Sequence, residues 1–237
     1  MKNSRTYYLH AATLFFILTV VVALCSWVGS IYELGDVQNL ISPEGLRWML
    51  RNAVSQYVRT PALGHVLILL MGLGVAYEAG LLQTLWKVIK FRKTRSMKER
   101  RALILSVFVL VIYILLIFSI TVAPWTIFRN VTGTFNNSPF LQGLPYLISL
   151  GIGFAGMIFG FVSGRFRTDH EVIQGMGSLI KRYYEYFIIL FFVVQFFISL
   201  TYSRLPEWLN IGSTTLHLLF LACCYLPLLW IVLRKER

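Results

Sequence analysis

The sequence has too little charge for a water-soluble globular protein. Only 14% of its 237 residues are charged and 57% are hydrophobic, whereas about a quarter of the residues of an average soluble domain are charged. Acidic residues are especially scarce, with ten Asp and Glu against 22 Lys and Arg, and there are only three cysteines. These shortages exclude a soluble enzyme, and also a secreted scaffold held together by disulfide bonds.

Common catalytic and nucleotide-binding motifs are also missing. The sequence contains no glycine-rich phosphate loop, no H-E-x-x-H motif and no C-x-x-C pair. His217 and Cys224 share a helix face at a spacing of seven residues, but two ligands do not make a metal site. We therefore expect no enzyme activity, no cofactor and no metal site.

Long apolar segments dominate what is present. Six of them are close to the roughly 20 residues that cross a bilayer: Tyr8–Ile31, Leu63–Trp86, Ala102–Trp125, Phe140–Gly164, Tyr186–Tyr202 and Thr214–Leu233. We predict an all-α polytopic membrane protein with about six transmembrane helices. The predicted organisation is a two-helix unit over residues 1–89, a basic cytoplasmic linker over 90–101 and a four-helix membrane unit over 102–237.

The basic residues indicate the orientation in the membrane. Counted between the predicted spans, 17 of the 22 Lys and Arg lie on the side that holds both termini, and eight of these lie between Lys87 and Arg101. Basic residues are retained on the cytoplasmic side of membrane proteins, so both termini are predicted to be cytoplasmic. The excess positive charge thus reflects the orientation of the chain in the membrane. The expected partner is the lipid bilayer rather than nucleic acid.

A short amphipathic helix is predicted over residues 42–58. Ser42, Pro43 and Glu44 have the order of an N-cap, a first-turn proline and an acid at the positive end of the helix dipole. Apolar residues then recur at helical spacing, with arginines on the other face. We interpret this segment as a periplasmic helix in the membrane interface; the alternative is a solvent-exposed helix docked on loops.

A second helix start is predicted at Thr168, with Glu171 at the capping-box position. A metal site formed by Asp169, His170 and Glu171 is the alternative. Consecutive helical residues point about 100° apart, so these three cannot converge on one ion. The spacing therefore favours the cap.

Small residues recur every four positions in two of the spans. They are Gly72, Ala76 and Gly80 in the second span, and Gly156, Gly160 and Gly164 in the fourth. In lipid, such spacing lets helix backbones approach closely. We predict that these residues mediate helix packing.

Three polar residues are candidates for a substrate or ion pathway, because polar groups within the membrane are costly. They are Glu78, Gln195 and Asn210. Glu78 has the alternative of extending towards the cytoplasmic surface or pairing with Lys87. For Gln195 and Asn210 the alternative is a hydrogen bond that joins helices.

Several motifs resemble the AbgT family of p-aminobenzoyl-glutamate transporters and antimetabolite exporters. The first block contains L-I-S-P-E-G-L-R-W-M-L over residues 40–50, G-L-G-V-A over 72–76 and A-G-L over 79–81. The second contains S-P-F-L-Q-G over 138–143, Asp169 and V-Q-F over 194–196, while M-K-E-R-R-A-L over 97–103 resembles the basic start of a family helix. The resemblance covers most of residues 10–212.

The resemblance implies a bacterial inner-membrane transporter that exchanges aromatic acids using Na⁺ or H⁺. The sequence departs from the family pattern in matching neither of the two re-entrant hairpins, and in having Tyr77 where the family places an acid, one residue before Glu78. These departures suggest a shortened form that forms its pathway as a homodimer or with a separately encoded subunit. The alternative function is a non-transporting accessory or relic subunit that acts through helix packing.

Overall fold

The computed structural model describes residues 10–91, 97–122 and 138–236. Within these ranges the chain forms ten helices and no strand. The helices are α1 (Ala11–Ile31), α2 (Pro43–Arg59), α3 (Pro61–Glu78), α4 (Leu81–Phe91), α5 (Met97–Val122), α6 (Pro139–Ser163), α7 (Asp169–Arg182), α8 (Tyr184–Tyr202), α9 (Leu205–Trp208) and α10 (Ser213–Glu236).

Six of these helices, α1, α3, α5, α6, α8 and α10, are long and apolar enough to cross a membrane. The predicted all-α fold with six spans is therefore confirmed. The ends of the first and third predicted spans, at residues 8–9 and 123–125, lie outside the described residues, as does part of the basic linker, at residues 92–96.

The helices form two compact units that do not follow the sequential division predicted above. One unit combines the two ends of the chain, Met1–Leu63 and Tyr183–Arg237, and the other comprises Gly64–Arg182. The difference arises because α8 and α10, which are distant in sequence from α1 and α2, pack in the same unit as those helices.

In the first unit, α1, α2 and α10 all pack on α8. Aromatic rings form many of these contacts. Phe15 of α1 lies 5.8 Å from Phe196 between ring centroids, and Phe197 of α8 lies 5.3 Å from Phe220 of α10. Large rings therefore set the helix separations in this unit.

The predicted amphipathic helix is α2, and it begins as expected. The Ser42 hydroxyl oxygen accepts a hydrogen bond from the Gly45 amide at 3.0 Å, which satisfies one of the free N–H groups at the helix start. Beyond this cap, α2 packs against α8.

The course of α2 differs from that of a helix lying in the plane of the interface. The Trp48 ring packs on the Tyr202 ring with 4.4 Å between ring centroids, whereas the Tyr57 hydroxyl donates to the Phe187 carbonyl at 3.1 Å. These contacts are fifteen residues apart on α8, or about 22 Å at 1.5 Å per residue. The helix α2 therefore runs antiparallel along most of α8.

The second unit is built around a buried cluster at one end of its helices. The cluster combines the end of α3, the start of α4, the start of α5, the second half of α6 and the start of α7: Val75, Ala76, Ala79, Leu81, Ala102, Ala155, Phe159, Phe166 and Val172. Four of these nine residues are alanines, so the backbones come close together.

The second predicted span, Leu63–Trp86, is interrupted in the structure. Helix α3 ends at Glu78 and α4 begins at Leu81, with Gly80 between them in the left-handed conformation at φ +78°. The Gly80 amide donates to the Tyr77 carbonyl at 3.0 Å, which closes the end of α3. Glycine adopts this conformation without steric cost, and apolarity alone does not reveal such an interruption.

Candidate functional site

A cavity of about 400 Å³ opens among α2, α8 and α10 in the first unit. Its volume falls within the roughly 300–1,000 Å³ of typical small-molecule sites. The lining residues are Trp48 and Gln56 from α2, Phe197, Ile198 and Thr201 from α8, and Ser213, Leu216, His217 and Phe220 from α10. Three helices thus contribute aromatic and hydrogen-bonding side chains to one space.

The helix period explains why these side chains converge. The lining positions of α10 recur at i, i+3, i+4 and i+7, which share one helix face. Those of α8, at i, i+1 and i+4, lie within about 100° of the helix circumference. The contacts of Phe197 with Phe220 and of Trp48 with Tyr202 bring those faces together.

The cavity offers a surface for stacking together with hydrogen-bonding groups. Trp48, Phe197 and Phe220 supply rings, while Gln56 and His217 can each donate and accept hydrogen bonds. None of the nine lining residues is Asp, Glu, Lys or Arg. The arrangement therefore suits a molecule with an aromatic ring and polar substituents.

Gln195, a predicted pathway residue, lies beside this cavity but does not line it. Its side-chain amide is buried and donates to the Ala53 carbonyl of α2 at 3.0 Å. The Tyr57 hydroxyl of α2 likewise donates to the Phe187 carbonyl of α8, at 3.1 Å. Gln195 and Tyr57 together hold α2, and with it one wall of the cavity, against α8.

Asn210 lies in the turn between α9 and α10, away from the middle of α8 where Gln195 is found. It is exposed and adopts the left-handed conformation at φ 59°, and its amide donates to the Glu207 carbonyl at 3.0 Å. Asparagine tolerates this conformation better than most residues, so the turn accounts for its presence there. The structure does not bring Asn210 and Gln195 together.

Glu78 lies at the end of α3 in the second unit and is exposed. It is next to the interruption at Gly80, and no ion pair joins it to Lys87 in the described part of the chain. The nearby Arg182 donates to the Tyr77 hydroxyl at 2.7 Å and lies 5.5 Å from the centre of that ring. Arg182 of α7 therefore contacts the side chain that precedes Glu78.

The predicted packing residues have three kinds of environment. Gly156 faces the backbone of Ala76, where an added Cβ would lie 2.8 Å from the Ala76 Cα, and Gly72 faces Ser149 of α6. By contrast, Gly80 and Gly164 are left-handed and end helices.

Gly160 lies against the Phe166 ring, on the short stretch that follows α6. It therefore makes room for a side chain rather than for the backbone of a neighbouring helix. The six predicted positions consequently do not form two continuous packing stripes.

Ser149 inserts its hydroxyl group into the backbone of α3. Its Oγ accepts from the Gly72 amide at 3.2 Å and donates to the Ile68 carbonyl at 2.5 Å. These two backbone groups are mutual partners in a regular α-helix, so the hydroxyl shares in a hydrogen bond of α3. Ser149 also borders a second cavity of about 270 Å³ whose lining is mostly Met, aromatic and aliphatic.

The alternative metal site at the start of α7 is occupied by capping contacts. The Glu171 carboxylate accepts from the Arg167 and Thr168 amides, and the Asp169 carboxylate accepts from the His170 amide at 2.9 Å. Nowhere in residues 10–91, 97–122 and 138–236 are three His, Cys, Asp or Glu side chains placed to hold a metal ion.

Most of the cavity was not predictable from the sequence. Gln56, Thr201 and Ser213 were not singled out, and His217 was considered only with Cys224, which is buried while His217 is exposed. The available signal was the presence of polar side chains on otherwise apolar helices. The lining positions come from three distant segments, however, so their convergence depends on how the helices pack.

Comparison with known proteins relates the chain to membrane transporters. The profile of the AbgT putative transporter family matches residues 8–98 and 90–233. The Alcanivorax borkumensis YdaH transporter has a similar fold, with a TM-score of 0.74 and 17% identity, over 86% of this chain and 73% of that one.

A second solved structure, Neisseria gonorrhoeae MtrF, gives a TM-score of 0.79 with 16% identity, over 93% of this chain and 77% of that one. It is described as illuminating a class of antimetabolite efflux pumps. At these identities the likeness concerns the fold. Comparison with curated proteins gives no match.

Proposed function

The chain belongs to the AbgT family of membrane transporters, and we propose that it carries p-aminobenzoyl-glutamate or a related aromatic acid across the bacterial inner membrane by exchange coupled to Na⁺ or H⁺. The distribution of basic residues supports an orientation with both termini in the cytoplasm. Transport in this proposal needs no enzyme activity.

The observation that carries the substrate proposal is the cavity among α2, α8 and α10. An aromatic acid has an apolar ring and polar ends, and the cavity pairs Trp48, Phe197 and Phe220 with the polar Gln56, Thr201 and His217. Aromatic side chains stack well on an aromatic ligand. Amide, hydroxyl and imidazole groups can then fix its orientation through hydrogen bonds.

We further propose that a second copy of the chain, or a separately encoded subunit, completes the pathway. In α5 and α10, only 6% and 11% of the most apolar 18-residue stretch is buried. In a bilayer these exposed apolar faces are available to lipid and to neighbouring subunits. The same faces would serve an accessory subunit that acts through helix packing.

The test measures transport by the purified protein in sealed vesicles. Radiolabelled p-aminobenzoyl-glutamate is expected to accumulate in response to an imposed Na⁺ or H⁺ gradient, and expression in cells is expected to raise sulfonamide resistance. His217→Ala should abolish most of the uptake. Leu218→Ala is the matched control, because its side chain is on the same helix, is 61% exposed and does not line the cavity.

Each result distinguishes the proposals. Uptake equal to that of empty vesicles, with the protein folded, would contradict transport by the chain alone. If activity then appears only with a co-purified membrane protein, the accessory-subunit function is favoured. Equal activity in His217→Ala and Leu218→Ala would show that transport does not depend on this cavity.

A further inference from the structure

Helix α4 (Leu81–Phe91) has no part in the cavity described above and was not predicted as a separate element. It follows the interruption at Gly80 and, with eleven residues, is about 16 Å long at 1.5 Å per residue. That length is too short to cross a bilayer of about 30 Å. Its side chains divide into three stripes along the helix.

The first stripe of α4 is buried and fixes its place in the second unit. Leu81 and Thr84 are almost fully buried, and Leu81 and Leu85 pack with Ala102 and Leu103 near the start of α5. The Thr84 hydroxyl also donates to the Gly80 carbonyl at 2.9 Å. Helix α4 therefore lies beside the first turns of α5.

The start of α5 is where that helix changes from charged to apolar. Lys98, Arg100 and Arg101 precede Ala102, and the residues that follow are almost entirely apolar. In a transmembrane helix such a change marks the boundary between headgroups and hydrocarbon. Helix α4, packed at the same level, consequently lies at the membrane surface.

The second stripe of α4 is apolar and exposed. Leu82, Trp86 and Ile89 recur at i, i+4 and i+7, so they share one face, and Trp86 and Ile89 are 65% and 77% exposed. Tryptophan is enriched at the level of lipid headgroups, where its ring is apolar and its N–H is polar. An exposed stripe of this kind fits acyl chains near the headgroups.

The third stripe is basic and adjoins the apolar one. Lys87 and Lys90 are both exposed, and the Lys90 ammonium lies 5.9 Å from the centre of the Trp86 ring. The eleven residues of α4 include no acid. Lysines beside an inserted apolar stripe extend their charged ends towards the surface of the membrane.

We propose that α4 is a surface anchor that binds anionic phospholipid headgroups through Lys87 and Lys90 while Trp86 and Ile89 enter the acyl region. The charge of the lysines selects anionic over zwitterionic lipid. A basic residue near an anionic membrane surface contributes about 1 kcal/mol, or roughly fivefold in affinity. This binding is independent of the transported substrate.

The experiment reconstitutes the full chain in bilayers that contain brominated phosphatidylglycerol or brominated phosphatidylcholine. Bromine quenches tryptophan fluorescence on contact, and subtracting the emission of Trp86→Phe from that of the unmodified protein isolates Trp86. We expect both lipids to quench Trp86, and phosphatidylglycerol to quench at a several-fold lower mole fraction. Molar salt should reduce this preference, because salt screens the attraction between the lysines and the anionic headgroups.

A charge-matched pair of variants tests the lysines. In Lys87→Gln/Lys90→Gln the preference for phosphatidylglycerol should fall by roughly fivefold for each lysine removed. Arg47→Gln/Arg51→Gln removes the same charge from exposed positions on α2 and should retain the preference. Counting bound phosphatidylglycerol by native mass spectrometry gives a second measurement that does not depend on tryptophan.

Three results would overturn the proposal. If neither lipid quenches Trp86 while other tryptophans are quenched, protein rather than lipid covers α4. Equal quenching of Trp86 by the two lipids would remove the anionic specificity. If Lys87→Gln/Lys90→Gln keeps the preference for phosphatidylglycerol, other residues are responsible for it.

Discussion

The contact between α3 and α6 and the contacts around α8 join helices in opposite ways. At the first, Gly156 lies against the backbone of Ala76 with no room for a side chain. Around α8, rings such as Phe197 and Phe220 separate the helices and a cavity of about 400 Å³ remains. Small residues give close packing, while large residues leave space that polar groups can line.

Volume alone does not distinguish the two regions, since the second unit also has a cavity, of about 270 Å³. Met71, Met157 and Met176 are among its lining residues, and the hydroxyl group of Ser149, which also lines it, already bonds α3. The cavity beside α8 has Gln56 and His217 available for a ligand. Polarity therefore identifies the candidate site.

The largest expected effect is at the close contact. Gly156→Leu should destabilise the protein by about 3 kcal/mol, because the side chain would collide with backbone atoms that cannot move independently. Gly143→Leu on the same helix is the control, since a Cβ there meets nothing within 4 Å. Thermal unfolding in detergent measures both, and equal melting temperatures would contradict close packing at Gly156.

A smaller loss is expected for Ser149→Ala. Removing a hydroxyl that bonds two backbone groups of another helix should cost about 1–2 kcal/mol. Hydrogen exchange at the Gly72 amide should also accelerate. Ser106→Ala provides the comparison, because Ser106 is buried and donates to the Ala102 carbonyl within its own helix; a similar loss there would show that the interhelical bond is unimportant.

Aromatic packing around α8 is expected to tolerate truncation better than the glycine contact tolerates enlargement. Phe220→Ala removes a ring pair worth about 0.5–1.5 kcal/mol and enlarges the cavity. The protein should remain folded, with a modest drop in melting temperature and weaker stabilisation by added p-aminobenzoyl-glutamate. A drop in melting temperature as large as that of Gly156→Leu would refute the contrast between the two regions.

The smallest effect is expected for Gln195→Leu, which removes the hydrogen bond to the Ala53 carbonyl. Hydrogen bonds between membrane helices average about 0.6 kcal/mol in stability. If Gln195 only joins α2 to α8, the melting temperature should fall slightly and uptake should keep the same ion dependence. A changed ion dependence would instead support the predicted pathway role.

Much of the fold follows from hydropathy. Six apolar segments of near-spanning length predict six helices because backbone polar groups must bond within the segment in lipid. The N-cap of α2 at Ser42 could likewise be predicted from the sequence, because its hydrogen bond to Gly45 joins residues three apart in the chain. The interruption at Gly80 was not, because its neighbours on both sides are apolar and only the left-handed conformation of one residue separates α3 from α4.

The candidate site depended on contacts that sequence spacing does not encode. Gln195 and its acceptor Ala53 are 142 residues apart, and the cavity combines segments from both halves of the chain. The sequence identified Gln195 as polar within a span. It could not indicate that the side chain faces α2 while His217 faces the cavity.

The amino-acid sequence by itself determined the membrane class, the six spans and the basic residues that indicate orientation, because these depend on composition and on intervals of a few residues along one helix. Tertiary structure decided which helices meet, where Ser149 enters α3, how α2, α8 and α10 enclose a cavity, and which faces of α4 remain exposed. Those features depend on side-chain volumes at facing positions of distant segments, and each emerges only when the backbones pack.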